Sequence, residues 1–347
     1  FKSYHTIPYH TIPYHTMPYH VMLYEYNYNY NEFCYKSRDK SRDKSRDKSS
    51  DKSSDKLYDS INLICEMNNY KFIKKLNTGG FSTVYLVNDN LTYINYAIKL
   101  IAKSKEHKYM IKQSQLYNNE VRIYKKCNHP FINTIVNNIN YIDYYGIIQY
   151  AVNGTEFSNI ICDLYTQDIS IQKFYIISIL LVLEYLHSIN IIYVDLKPEN
   201  ILIDHQGYIK LIDFGSSKIV NTDNQYVMAK EGTLLYSSPE LLLNNNIYYY
   251  HDLWSFGVIL YKIVVGHNPF YNIRTEKIAD AIIDVDWKWP KDNKINIDVL
   301  HIVNNLLIFN DKDRIEIQEI KINKEFSNYN YVNLINKITK PPFIPSI

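Results

Sequence analysis

The chain is 347 residues long and carries 38 basic against 36 acidic residues, a net charge of +2. That length suits one or two ordinary domains, and nothing in so even a charge argues for a nucleic-acid or membrane surface; neither is expected as a partner. The four cysteines, Cys34, Cys65, Cys127 and Cys162, stand far apart with no metal or redox spacing. That is the pattern of a reduced, intracellular protein; the cytoplasm is the expected compartment, with the nucleus also open to it. No secretory leader is visible, and a first residue of Phe1 leaves the natural start open.

Residues 1–60 differ from the rest of the chain. Tyr4-His5-Thr6-Ile7-Pro8 recurs from Tyr9 and again, with Met17 for the isoleucine, from Tyr14. A five-residue period with a proline in each unit matches neither a helix nor a strand ladder. Ser37-Arg38-Asp39-Lys40 then repeats from Ser41 and Ser45 and decays into Ser49-Ser50-Asp51-Lys52. So few apolar side chains cannot offset the entropy of ordering, and the segment is expected to be a disordered low-complexity tail. The evenly spaced His5, His10, His15 and His20 lack the fixed geometry a metal site needs.

From about Tyr70 the pattern changes. β-Branched and aromatic runs split by polar turns predict strands over 71–76, 82–88, 93–101, 135–142 and 145–151, with one helix over about 112–127. After Glu156 helical periodicity takes over, with long apolar repeats over 171–190 and 253–265. The most apolar stretch, Phe174 to Val194, contains Glu184, His187, Ser188 and Asn190. It suits a buried helix and a following strand better than a membrane span. The expected fold class is α+β in two lobes: a small antiparallel sheet with one helix over 70–152, a larger helical lobe over 153–325 and a short extension over 326–347. A cleft between such lobes is where a ligand would sit.

The chemistry is concentrated in Tyr193-Val194-Asp195-Leu196-Lys197-Pro198-Glu199-Asn200, with Asp213-Phe214-Gly215 beginning thirteen residues after Asn200. Phosphoryl transfer needs such groups. One carboxylate accepts a hydroxyl proton, a lysine neutralises the moving phosphoryl group, and an amide oxygen with a second carboxylate holds magnesium, a hard cation. Upstream, Asn77-Thr78-Gly79-Gly80-Phe81-Ser82-Thr83-Val84 forms a glycine-containing hairpin, and Lys99 of Tyr96-Ala97-Ile98-Lys99 lies fifteen residues after Val84. Glycines let backbone amides approach phosphates. Glu120 precedes Pro130 of His129-Pro130-Phe131-Ile132 by ten residues. Downstream stand Gly232-Thr233, Ser238-Pro239-Glu240, Asp252-Leu253-Trp254-Ser255-Phe256-Gly257 and Arg314.

These motifs resemble those of the eukaryotic protein kinases over about residues 70–345, and within them the AGC group of cyclic-nucleotide-dependent and phosphoinositide-dependent kinases. The stretches 192–204 and 204–213 and the closing Pro341-Pro342-Phe343-Ile344-Pro345 carry the group likeness. The resemblance implies an ATP- and magnesium-dependent serine/threonine kinase acting on protein substrates; the alternative is a pseudokinase that serves as a scaffold and binds nucleotide weakly. It makes Asp195 the catalytic base, Lys197 the mark of serine/threonine specificity, and Thr233 the bridge between them. Asn200 and Asp213 would hold magnesium. ATP would be bound by Asn77, Thr78, Gly79, Gly80, Phe81 and Ser82 and by Val84, Ala97 and Leu202, which cover the purine. Lys99, oriented by Glu120, would take the phosphates. Ile148 would be the gatekeeper, Gln149 to Ala151 the adenine-pairing hinge, and Glu156 a ribose contact. Glu240 would pair with Arg314, Asp252 would hold the catalytic-loop backbone, and Tyr124, Ile135, Tyr193 and Phe214 would stack as an apolar spine between the lobes.

Departures from the family pattern carry expectations of their own. Asn77 and Ser82 stand where two of three glycines are usual. Val194 replaces the arginine that grips an activation-loop phosphate, and Ala229 stands at the usual phosphoacceptor. The switch is therefore expected to be dispensable, with Ser216, Ser217, Thr222 and Tyr226 as remaining acceptors. Glu199 is kept, while Leu235 and Lys262 stand where glutamates help select basic substrates, so a weakened preference for arginine is expected. The chain ends soon after Pro345, without the aromatic motif that fills the pocket beside the Glu120 helix. That pocket is expected to be empty or filled by a regulatory partner.

Overall fold

The computed structural model describes residues 61–78, 82–220, 227–229, 231–291 and 296–345. The repeat segment, the Gly79–Phe81 hairpin tip, Thr222 and Tyr226 lie outside the described residues.

The first lobe opens with a short helix, α1 (61–67), then β1 (Tyr70–Thr78), β2 (Ser82–Asp89), β3 (Asn95–Ala102), α2 (His107–Lys126), β4 (Ile135–Asn140) and β5 (Tyr144–Tyr150). The strands form one sheet in the order β1-β2-β3-β5-β4, antiparallel throughout. Alternation decides what each face does. Tyr96, Ile98 and Leu100 of β3 join Tyr85, Val87 and Ile148 in a buried cluster on one face, and α1 covers it with Ile61, Ile64 and Cys65. Burial of the two isoleucines contributes roughly 3–6 kcal/mol. The opposite face carries Ala97 and Lys99 and packs on α2, whose Tyr117 and Val121 meet Tyr145 and Ile147. The folded part thus begins before Tyr70: the 61–67 helix belongs to the sheet.

The second lobe begins with β6 (Gly154–Glu156) and α3 (Ile169–Ser188), followed by β7 (Ile191–Ile192), β8 (Ile201–Asp204), β9 (Ile209–Leu211) and β10 (Lys218–Ile219). Gly154 has φ +155°, and a Cβ there would lie 1.7 Å from the Ile203 carbonyl oxygen, so only glycine lets β6 pair with β8. Then come β11 (Val227–Met228), α4 (Pro239–Asn244), β12 (Asn246–Ile247), α5 (Tyr250–Val265), α6 (Ile278–Ile283), α7 (Ile297–Leu306), α8 (Ile317–Ile322) and α9 (Tyr331–Ile335).

Asp168 caps α3 by accepting the Ser170 N–H. Among the described residues α3 is the one helix long and apolar enough to cross a membrane, yet most of it is buried in the lobe core with α5 and α7. That core reaches into the first lobe through Ile123, Tyr124, Phe131 and Ile132, which tie the two lobes together. The C-terminal segment folds back on the β8–β9 turn, where the Tyr208 hydroxyl donates to the Lys337 and Thr339 carbonyls at 2.7 and 2.9 Å.

Candidate active site

The cleft face of β3 presents Lys99 toward α2. Its ammonium donates to both Glu120 oxygens, at 2.9 and 3.1 Å, and to Asp213 Oδ1 at 2.8 Å. Three elements far apart in sequence meet at one nitrogen. Burial alone would lower the lysine pKa, but the Asp213 and Glu120 carboxylates outweigh it and raise it, so the ammonium persists. Burial pushes Glu120 up, with Asp213 adding to it and Lys99 opposing. The Asp213 side chain is 46% exposed. Burial acts to raise its pKa, but Lys99 and the Gly215 N–H hold it below the usual carboxylate range.

A second cluster lies on the loop between β7 and β8. Lys197 Nζ stands 2.8 Å from Asp195 Oδ2 and donates to Thr233 Oγ1 at 2.7 Å, while the Thr233 hydroxyl donates to Asp195 Oδ1 at 2.7 Å. Thr233 is therefore the bridge expected of it. Asn200 Nδ2 donates to the Asp195 carbonyl and carboxylate at 2.8 and 3.3 Å. With its amide nitrogen so committed, Asn200 Oδ1 is left as an oxygen ligand. Asn200 and Asp213 supply two hard oxygen donors, which suits magnesium because that ion completes its shell with water and substrate phosphates. Among the described residues no set of three histidine, cysteine or carboxylate groups could cage a metal, and magnesium with a triphosphate needs none.

The loop is held from beneath by α5. Asp252, fully buried, accepts the Tyr193 N–H at 2.8 Å and the Val194 N–H at 2.9 Å, and it shares a 2.9 Å hydrogen bond with His187 Nε2. His251, also fully buried, donates from Nε2 to the Val194 carbonyl at 2.8 Å and meets the Ser238 hydroxyl at 2.7 Å. Both peptide groups of Val194 are thereby fixed with φ at +74°, a costly conformation for a β-branched residue. The Asp252 role matches the expectation, whereas nothing in the sequence motifs marks His251 for its part.

The apolar stack is formed: Phe214 makes edge contacts with Tyr124 at 4.8 Å and Tyr193 at 5.2 Å, and Ile135 packs beside them. Arg314, with no exposed side-chain surface, makes two 2.7 Å bonds to Glu240. Val194 and Ala229 lie in one buried apolar cluster with Ile192, Val220, Leu241 and Ile247. Where an arginine and a phosphate are usual, this chain has hydrophobic contact.

On the nucleotide side the expectation needs one correction. Ile148 pairs with Ile98 and faces away from the cleft into the cluster under α1, whereas Gln149 pairs with Ala97 and so shares the Lys99 face. Gln149 therefore holds the gatekeeper position. Ala151 is a poor adenine donor, because its N–H already bonds the Asn95 carbonyl at 3.1 Å. The next amide, that of Val152, has no backbone hydrogen-bond partner among the described residues, which moves the hinge one residue along. Val84, opposite Lys99, also faces the cleft, and Leu202 approaches it from the other lobe on β8. Asn77 and Thr78 end β1 opposite Val84 and Thr83, and Ser82 opens β2. The Glu156 carboxylate accepts the Ser158 hydroxyl at 2.7 Å. Between α2 and the sheet, Tyr117 and Tyr145 stack with centroids 4.5 Å apart, and Lys103 lies over the Tyr145 ring. In the substrate groove, Glu199 Oε2 is buried without a hydrogen-bond partner among the described residues.

Comparison with known proteins agrees with this geometry. A family model for the protein kinase domain matches residues 70–326. The chain is 34% identical over 224 residues to the cAMP-dependent protein kinase type 3 of Saccharomyces cerevisiae, covering 65% of this chain and 55% of that protein. It is 31% identical over 290 residues to the RAC serine/threonine-protein kinase of Drosophila melanogaster, covering 81% and 46%. It is 30% identical over 293 residues to the cAMP-dependent protein kinase catalytic subunit of Dictyostelium discoideum, covering 83% and 44%. The chain thus spans about half the length of these curated relatives.

Proposed function

The chain belongs to the protein kinase family, and from that premise we propose that it transfers the γ-phosphoryl group of ATP to serine and threonine hydroxyls of protein substrates. The observation that carries the proposal is the convergence of Lys99, Glu120 and Asp213 at 2.8–3.1 Å beside the bonded Asp195–Lys197–Thr233 set. Every charged role in the reaction has an occupant.

Lys99 binds the α and β phosphates, with Glu120 fixing its direction. Asp213 and Asn200 hold magnesium, which when bound neutralises charge on the phosphates. Asp195 orients the incoming hydroxyl and takes its proton, and Lys197 meets the negative charge of the transferring group. Thr233 keeps that lysine and carboxylate in register. Because the transition state is loose, positioning and charge supply most of the rate, and a fixed loop is the main requirement.

A scaffold without catalysis would not need the Asp195–Lys197–Thr233 geometry. Incubation with γ-labelled ATP, magnesium and a generic protein substrate, followed by phosphoamino-acid analysis, separates the two. Wild type should yield phosphoserine or phosphothreonine and Asp195→Asn should lose at least ~100-fold in rate. Equal label from both proteins would end the proposal.

A further inference from the structure

We propose that the Tyr124 hydroxyl is a positioning group for Asp213: it clamps the backbone of the magnesium-binding residue to α2. The inference rests on the phosphoryl-transfer function proposed above and assigns that site a further residue.

Tyr124 sits on the last turns of α2 and is 3% exposed. An apolar stack against Phe214 asks only for its ring, and phenylalanine would serve. The hydroxyl does more. It accepts the Asp213 N–H at 2.8 Å.

Asp213 needs such a clamp. Its φ is +61°, in the left-handed region that a non-glycine residue enters at a cost. Fixing the peptide N–H fixes the plane from which the side chain projects. On one side that side chain meets Lys99 and the Gly215 N–H, at 2.8 and 3.1 Å. The second link, through Tyr124, joins the same residue to the helix that bears Glu120. Displacement of α2 would therefore disturb both the lysine anchor and the metal-binding carboxylate. The polar bridge makes their alignment a property of one hydrogen-bonded unit spanning α2, β3 and the Asp213 loop.

Tyr124→Phe keeps the ring and removes the oxygen. At saturating ATP, its half-saturating magnesium concentration should rise roughly tenfold and its kcat should fall, a change of the size of one buried hydrogen bond. Because the variant also leaves the Asp213 N–H unpaired, thermal unfolding is measured in parallel and the kinetics are read well below its midpoint. Magnesium dependence and kcat within twofold of wild type in Tyr124→Phe, with wild type active, would overturn this proposal alone. A lowered midpoint with magnesium half-saturation unmoved would make the hydroxyl merely structural and overturn it as well. A folded wild type that transfers no phosphate would remove the kinase function and this proposal with it.

Discussion

Asp252→Asn is a sharp test of how the catalytic loop is held. The carboxylate accepts two backbone N–H groups, from Tyr193 and Val194, and bonds His187 Nε2, all at 2.8–2.9 Å. Hydrogen bonds to a charged group contribute about 1.5–3 kcal/mol each. An asparagine amide has one acceptor oxygen; its NH2 group would face an N–H donor. With that oxygen where Oδ2 stands, the Tyr193 and His187 bonds persist at neutral strength, about 1 kcal/mol weaker each, and the Val194 bond is lost, a total cost of roughly 3–5 kcal/mol. Val194, held at φ +74°, then lacks a clamp against strain of about 1–3 kcal/mol. For a folded region of this size each kcal/mol shifts Tm by about 2–4 °C, so thermal unfolding should move down by roughly 6–20 °C. At temperatures where the variant remains folded, a displaced Asp195 should still lower kcat, by the order of 100-fold that ~1 Å of misplacement brings. Val194→Gly in the Asp252→Asn background should recover part of the activity, because glycine tolerates positive φ. Differential scanning calorimetry with steady-state transfer assays gives both numbers. A variant within ~2 °C and threefold of wild type would refute the view that Asp252 stores the loop conformation.

Phosphatase treatment should leave activity unchanged, because Val194 and Ala229 meet in an apolar cluster instead of through an arginine and a phosphate; a mass-spectrometric map showing an essential phosphate on this segment would contradict that. Ala229→Asp would bury an unpaired carboxylate at a site 1% exposed and should cost several kcal/mol in chemical unfolding. On a peptide array, wild type should show weak selection for arginine before the target residue, and Leu235→Glu/Lys262→Glu should strengthen it beside the retained Glu199; a wild-type array dominated by paired arginines would refute the assignment. Burial, then the Lys210 charge, lowers the His129 pKa to about 3. The unfolded state therefore takes up a proton near pH 6.5 that the folded state refuses. The stability this group contributes is complete above pH 6.5 and falls as pH drops toward 3, by up to about 1.4 kcal/mol per pH unit. Denaturant titrations between pH 7 and 4 should show His129→Phe losing stability less steeply than wild type; parallel slopes would count against the burial argument.

The catalytic end was legible because phosphoryl transfer constrains residue type and spacing together. Asp195, Lys197, Asn200 and Asp213 have few substitutes, and the loop that joins them is short. The hinge register was harder, for a physical reason. Ile147 and Ile148 are both apolar, and a slip of one residue in a strand sends each side chain to the other face. Only the pairing of Gln149 with Ala97 resolves which residue faces the cleft. The helix over 61–67 left a faint signal, Ile61, Ile64 and Cys65 at helical spacing, that the adjoining repeats obscured. The replacement of a phosphate switch by hydrophobic contact was half visible: Val194 and Ala229 could be seen to depart from the family pattern, but their meeting in one cluster depends on the fold. The Tyr124 hydroxyl was hidden because stacking gave its ring a sufficient role.

The most direct measurement is a crystal structure with magnesium and a non-hydrolysable ATP analogue. The account predicts the triphosphate in the cleft, Lys99 Nζ on its α and β phosphates, and a metal ion bound by Asp213 and Asn200 Oδ1 at ~2.1 Å. A cleft that stays empty at saturating ligand, or a metal that avoids both side chains, would contradict it.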